Sequence, residues 1–299
     1  MMKKGLYFLM ALLIALVPIK GFSQSDSTLR KQITQITKSV NGIVGVSVLG
    51  IEDRDTLSLN GTSRLVLHSV IKLPIAMAVL NLVDSGKLKL NALVQIKKRD
   101  LVKDTYSPLR DKYPNDEIKI PLSELLSYMV SLSDNNACDI LLNIISGPQV
   151  VENYLLKKGI KGIAIQASEA DMASAWEVQY TNWAKPIALT RLLDNLYQGK
   201  MLSKSSTDFL YKLLTETSTG PKRIKGLLPI GAVVAHKTGT SPTNKAGLSP
   251  ATNDIGIITL PNGKHLAIAV LVGNSTDNEA TREGAIANIA KAVWDYHLH

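Results

Sequence analysis

With Cys138 as its sole cysteine, the chain can form no internal disulfide, so packing alone must hold the fold. Its five histidines fall in no H-E-x-x-H or other metal-ligand spacing, and no metal or organic cofactor is implied. Internal repeats and low-complexity linkers are absent. Past the N-terminus, no uncharged apolar stretch reaches the ~20 residues that a membrane-spanning helix needs. The net charge is +9, but its basic residues are dispersed and accompany no nucleic-acid motif, which argues against nucleic acid as a partner. What remains is a cofactor-free chain of 299 residues whose 45% hydrophobic content suffices for a large core in one domain or two interleaved ones.

At the N-terminus, Lys3 and Lys4 precede an apolar run from Leu6 to Val17 and then the small residues Gly21 and Ser23. This reads as a secretory signal peptide over residues 1–23, cleaved after Ser23. Cleavage removes Lys3, Lys4 and Lys20 and leaves a charge of +6. No cysteine stands where a lipid anchor would attach. The mature chain is therefore expected to be exported without a membrane anchor.

A helical pattern over Ser27–Val40 is followed by strand-like Gly45–Gly50 and its hairpin partner Asp55–Leu59. From Val66 to about Leu214 apolar residues recur at helical spacing, with stops at Gly86, Gly147 and Gly159. Strand patterns return at Ala232–Lys237, Asp254–Leu260 and His265–Val272, the last two joined by the turn Pro261-Asn262-Gly263. A helix from Asn278 to Tyr296 closes the chain. The expected fold is α/β in the α+β sense: one antiparallel sheet built from both termini and flanked by terminal helices, with an all-helical domain inserted. Its boundaries fall at 24–65 with 215–299 for the sheet domain and 66–214 for the helical one.

Three motifs then carry chemistry. In Ser69-Val70-Ile71-Lys72, Ser69 opens an apolar helix running to Asp84, where unpaired N–H groups favour an oxyanion forming beside its hydroxyl. Lys72 returns to the same helix face, near enough to take the serine proton. Alone, S-x-x-K is an ordinary helix cap and a solvated lysine. Ser133-Asp134-Asn135 lies between helical segments Leu122–Met129 and Ala137–Ile145: Ser133 is suited to relaying a proton, Asn135 to bonding a substrate amide, and Asp134 to capping backbone N–H groups. Lys237-Thr238-Gly239 ends a strand, and Gly239 permits close approach of a substrate to the backbone. Thr240 N–H is a second oxyanion donor, and Arg223, Lys237, Thr238 and Thr240 are candidates to hold a substrate carboxylate. Cys138 reads as a packed core thiol. His68 and His236 shape the site without taking part in catalysis, and Trp176 and Trp183 pack down the segment between them.

The three motifs in this order resemble those of class A serine β-lactamases, and the resemblance spans essentially the whole mature chain. Tyr106-Ser107-Pro108 is similar to the family's segment with an aromatic at the rim, and Arg223-Ile224-Lys225 to its basic segment before K-T-G. The resemblance implies a monomeric periplasmic hydrolase of penicillins and cephalosporins. Glu169 matches the glutamate of the family's omega loop, here about residues 164–183, which activates the water that clears the acyl-enzyme. The alternatives are a D,D-peptidase acting on peptidoglycan, and a β-lactam sensor that stays acylated; Glu169 argues against the first and the lack of a transmembrane link against the second. Ala167, Ala173, Asn182 and Asp139 depart from the usual Arg, Asn, Asp and Asn. These departures resemble the divergent branch that hydrolyses extended-spectrum cephalosporins, and imply a rewired loop contact between Asp139 and Asn182 and a roomier site.

Overall fold

The computed structural model describes residues 24–114 and 117–298, so the expected signal peptide lies outside the described residues. Ten helices are present among them: α1 (Gln24–Lys38), α2 (Lys72–Asp84), α3 (Pro108–Lys112), α4 (Leu122–Ser131), α5 (Asn135–Ile144), α6 (Pro148–Lys157), α7 (Glu169–Ser174), α8 (Pro186–Tyr197), α9 (Lys204–Thr215) and α10 (Glu279–Tyr296). The main sheet joins β1 (Ile43–Gly50) and β2 (Thr56–Leu59) to three strands from the C-terminal region. These are β8 (Val234–Thr240), β9 (Ser249–Thr259) and β10 (His265–Ser275), and the spatial order is β2-β1-β10-β9-β8, antiparallel throughout.

Both faces of this sheet are covered, which is why its central strands read as continuous apolar runs and not as clean alternation. Period-two geometry still sorts them. Val44, Val46, Val48, Ile268, Val270 and Ile258 pack with Leu29 and Ile33 of α1 and Ile286, Ile289 and Val293 of α10. Leu49, Ile255, Ile257, Ala269 and Leu271 belong instead to the core shared with the helical region. At the centre of that region, α2 has no polar face before its last turn: Lys72 to Leu80 are all buried. It ends where Gly86 takes φ +73°, with Lys87 N–H bonded to Leu82 O and Gly86 N–H to Val83 O, each at 2.9 Å. That pairing closes the last carbonyls and needs a residue without a Cβ penalty.

The segment expected to be all-helical also contains short strands. β4 (Leu93–Ile96) and β5 (Ile118–Pro121) form a hairpin, and β3 (Leu65–Val66), β7 (Trp183–Ala184) and β6 (Ile163–Ala164) form a small second sheet. Two-residue pairings leave no periodicity to read. They matter for the site, because β3 leads into Ser69 while β6 and β7 close the two ends of the loop that carries Glu169. In the main sheet, β8 is an edge strand that runs through Lys237-Thr238-Gly239 and ends one residue later, at Thr240.

Candidate active site

Ser69 lies in a single 3-10 turn, His68–Ile71, that runs directly into α2. Lys72, the first residue of α2, is fully buried. Its Nζ sits 2.9 Å from Ser69 Oγ, 2.8 Å from Ser133 O, 2.6 Å from Asn135 Oδ1 and 2.9 Å from Glu169 Oε1. Ser69 Oγ lies 3.5 Å from the same carboxylate oxygen. Of the four residues named from the sequence as nucleophile, base, relay and water activator, three thus converge on the amine of the fourth, Lys72.

Ser133 holds its place at φ +59°, a left-handed conformation that a non-glycine residue adopts only when its surroundings impose it. They do: Asp134, fully buried, caps α5 through Ala137 N–H at 2.8 Å and also accepts from Leu109 N–H at 2.6 Å and from Ser107 Oγ at 3.0 Å. This is the capping role expected of it. Burial pushes the Asp134 carboxyl above its usual range despite those bonds. Ser133 Oγ is 2.8 Å from Lys237 Nζ, which is itself fully buried. Burial, then the charge of Lys72, drives the Lys237 amine well below an ordinary lysine pKa. Ser133 therefore bridges two buried amines.

The cleft has two lobes that share Ser69, Asn135 and Thr240. One, of about 230 Å³, is walled by Tyr106, Ser133, Thr219, Thr238 and Gly239. The other, of about 300 Å³, is walled by His68, Thr105, Glu169, Met172, Ala173, Trp176 and Pro242 among others. Ser241 N–H bonds to Ala251 O across the ladder at 2.9 Å, so in an antiparallel pair the preceding Thr240 N–H points away from β9 and toward the cleft. Tyr106 stands exposed at the rim, and its carbonyl accepts Asn135 N–H at 3.0 Å.

Two residues expected at the carboxylate lie behind the wall instead. Arg223 is 3% exposed, and its guanidinium donates to Thr240 Oγ1 at 2.8 Å, Gly239 O at 3.2 Å, Asn253 O at 3.0 Å and Glu283 Oε1 at 3.0 Å. Neither it nor Lys237 lines a lobe; the threonines do. Gly239 lines the smaller lobe, and its missing side chain has a second consequence. A Cβ there would meet Leu67 O at 2.3 Å, so it also permits a close approach of the chain to itself. His236 is buried and bonded to Asp254 at 2.9 Å, away from the cleft, and Cys138 is a fully buried thiol that burial pushes up, as a core residue should be.

The Glu169 loop is fastened at two points. Asp139 on α5 accepts Glu169 N–H at 2.8 Å and Ala170 N–H at 2.9 Å, capping α7 from outside. Burial, followed by repulsion from Glu169, raises its carboxyl to about 6, even though both N–H bonds pull downward. Asn182 accepts Gln166 N–H at 2.7 Å and Ala167 N–H at 3.0 Å while donating to Ala167 O at 2.9 Å. Asp139 and Asn182 do not bond to each other; each grips its own stretch of loop backbone. A third tie is His68 Nε2 to Gln179 Oε1 at 2.8 Å. Gln179 Nε2 donates to Trp176 O at 2.7 Å, so its oxygen faces the histidine and the Nε2 proton lies between them. Trp183 stacks under Arg64, its ring 4.2 Å away, whereas Trp176 faces the cleft. Thr105, which receives Asn135 Nδ2–H at 2.7 Å, and Thr219, bonded to Thr238 at 2.6 Å, carried no motif that would have singled them out.

With this geometry in place, comparison with known proteins gives a consistent answer. Residues 28–297 match the sequence profile of the β-lactamase enzyme family. The chain is 41% identical over 287 residues to extended-spectrum β-lactamase PER-1 of Pseudomonas aeruginosa, covering 95% of this chain and 93% of that one. Among solved structures, a β-lactamase from Chitinophaga pinensis superposes with a TM-score of 0.88 at 50% identity, covering 90% of this chain and 98% of that one. A class A β-lactamase from Bacteroides cellulosilyticus does so with a TM-score of 0.88 at 37% identity, over 92% and 99%. A buried serine–lysine–glutamate cluster under the edge of an antiparallel sheet, in a chain so extensively similar to these proteins, makes it a member of the class A serine β-lactamase family.

Proposed function

We propose that this chain clears β-lactams through an acyl-enzyme on Ser69, with Glu169 as the deacylation base. The observation that carries the reading is the position of the Glu169 carboxylate, 2.9 Å from Lys72 Nζ and 3.5 Å from Ser69 Oγ. A base on that side is what a hydrolase needs and an acylating transpeptidase lacks. Ser69 Oγ attacks the lactam carbonyl, and its proton passes to Lys72 or to Glu169. The oxyanion is met by Ser69 N–H and Thr240 N–H. As the C–N bond breaks, Ser133 hands a proton to the ring nitrogen and is resupplied from the adjoining amines. Glu169 then takes a proton from water, the hydroxide adds to the ester, and Ser69 leaves with its proton restored.

The substrate carboxylate is read as lying in the threonine-lined lobe. Thr238 and Thr240 touch it there, while Lys237 and Arg223 supply positive charge from behind. The acyl side chain takes the lobe toward Trp176. Small residues at Ala173 and Ala175 on that wall, and the similarity to an extended-spectrum enzyme, support acceptance of bulky cephalosporin side chains. Every group invoked comes from one chain, so a monomer suffices. We read 24–65 with 215–299 as the sheet domain and 66–214 as the inserted domain, and place the mature protein in the periplasm after removal of residues 1–23. Among the described residues no helix is long and apolar enough to cross a membrane.

The test is steady-state turnover of a chromogenic cephalosporin by the purified mature protein. Many product equivalents per enzyme are expected. One stoichiometric burst ending in a stable adduct would overturn the assignment of Glu169 and favour a penicillin-binding protein.

A further inference from the structure

Deep under the cleft, on the side of β8 away from solvent, lies a polar side chain that the proposed mechanism does not use. Asn253 of β9 is fully buried and sits directly across the ladder from Gly239. Its Nδ2 donates to two successive carbonyls, Val66 O at 2.8 Å and Leu67 O at 3.1 Å. Among the described residues its Oδ1 has no hydrogen-bond partner, so the orientation of the amide is fixed by the two acceptors. Such an arrangement is costly inside a protein, and it persists where something requires it.

What it grips is the approach to Ser69. Leu67 donates its N–H to Asn182 O at 3.0 Å and gives its carbonyl to Asn253, so this one residue is pinned through both of its peptide groups between the Glu169 loop and the main sheet. The next residue, His68, is held at φ +46°, a strained conformation for a side chain of that size. Ser69 follows. On the other side of the gap, the Leu67 oxygen lies so close to Gly239 that no Cβ fits between them, and Thr240 follows Gly239. The separation between Ser69 N–H and Thr240 N–H is thus set by how closely the Val66–Leu67 segment is drawn onto β8 and β9.

We propose that Asn253 is a positioning residue for the oxyanion hole: through Leu67 it fixes Ser69 N–H against Thr240 N–H without touching substrate. The proposal rests on the reading of Ser69 and Thr240 given above. Because the oxyanion forms in both acylation and deacylation, loosening the hole slows both steps, unlike loss of Glu169, which is expected to slow the second far more.

The experiment replaces Asn253 by Leu, similar in size but with no donor, and by Ser, each with Glu169 intact and each in a Glu169→Gln background that holds the acyl-enzyme. The probe is a penicillin carrying ¹³C at the lactam carbonyl, and the readout is the infrared stretch of the ester. Two well-placed N–H donors weaken that C=O bond, so its band should move to higher frequency and broaden in both variants, and kcat/KM should fall about tenfold to a hundredfold with acylation and deacylation both slowed. An unshifted band with an unchanged acylation rate overturns the proposal. If Glu169→Gln with Asn253 in place turns substrate over without any adduct on Ser69, the nucleophile assignment is what fails, and the proposal with it. A measurement on the unmutated protein guards against variants that do not fold: the Asn253 side-chain amide protons should exchange with deuterium as slowly as neighbouring sheet amides, and fast exchange overturns the proposal as well.

Discussion

The floor and the wall of this cleft are held in different ways. The floor comprises Ser69, Lys72, Ser133 and Lys237, and its groups arrive from α2, from the turn before α5 and from β8. Lys72 alone meets four oxygens within 2.9 Å. No single contact carries that arrangement. The wall is the stretch between β6 and β7, where Glu169 depends on the Asp139 carboxylate, the Asn182 amide and the bond from His68 to Gln179. The first region is over-determined and the second hangs from a few points. Acylation groups should therefore tolerate disturbance of the wall, while deacylation should not.

Ser69→Ala attacks the floor at its reacting atom and has the largest expected effect. Turnover should fall by at least about 10⁴-fold, since members of a nucleophilic unit fail together. The melting temperature should stay close to that of the unmodified protein, because the hydroxyl's role is chemical and its removal leaves the packing of α2 intact. Hydrolysis near the original rate would sink the serine mechanism. Glu169→Ala attacks the wall and should separate the two steps. Turnover is expected to drop by about 10³-fold or more, in the upper range for loss of a general base, while an adduct on Ser69 builds up and is seen by intact-protein mass. Continued turnover with no adduct would remove Glu169 from its proposed role.

Asn182→Ala sharpens the comparison without touching the chemistry. It deletes two acceptor contacts and one donor contact to a buried stretch of backbone, and leaving those groups unsatisfied should cost about 2 kcal/mol of stability. Pre-steady-state kinetics should show deacylation slowed more than acylation. Equal slowing of both would mean that wall and floor move as one body, and the distinction between them would fail.

How far this division was legible in the sequence follows from the same physics. The floor was readable because its chemistry demands particular residue types at helix-face and strand spacings, so Ser69, Lys72, Ser133 and Lys237 announced themselves. The central strands and α2 were readable because continuous burial leaves continuous apolar runs. The wall was harder. Asp139 and Asn182 stood out only as departures from a family pattern, and their partners are backbone groups, which no side-chain code records. Arg223 was read as a ligand contact because charge suggests one; in the fold four of its five N–H donors go to Thr240, Gly239, Asn253 and Glu283, contacts that no sequence spacing records. Gly239 was read as an opening for substrate; the fold adds that the space of its missing side chain also takes the carbonyl of Leu67, 172 positions away in the chain. Contacts of that kind appear only once the fold brings the segments together.

The smallest expected effect tests the wall through its charge. Asp139 has its carboxyl raised from 3.8 to about 6, with burial as the main cause. A carboxyl raised in the folded state favours folding when protonated, so its stabilising contribution is complete below the unfolded value near 3.8 and is lost as pH rises through about 6. The shift corresponds to about 3 kcal/mol as an upper figure. Asp139→Asn removes the titration while keeping an oxygen that can accept from the start of α7. Stability of the two proteins, measured by chemical denaturation at intervals from pH 4 to pH 8, should therefore diverge, the variant gaining on the unmodified protein most steeply between pH 4 and pH 6. A gap that stays constant across that range would show that the carboxylate at the loop titrates normally. In that case the loop is fastened by a charge that costs nothing to bury, and the wall is as firmly built as the floor.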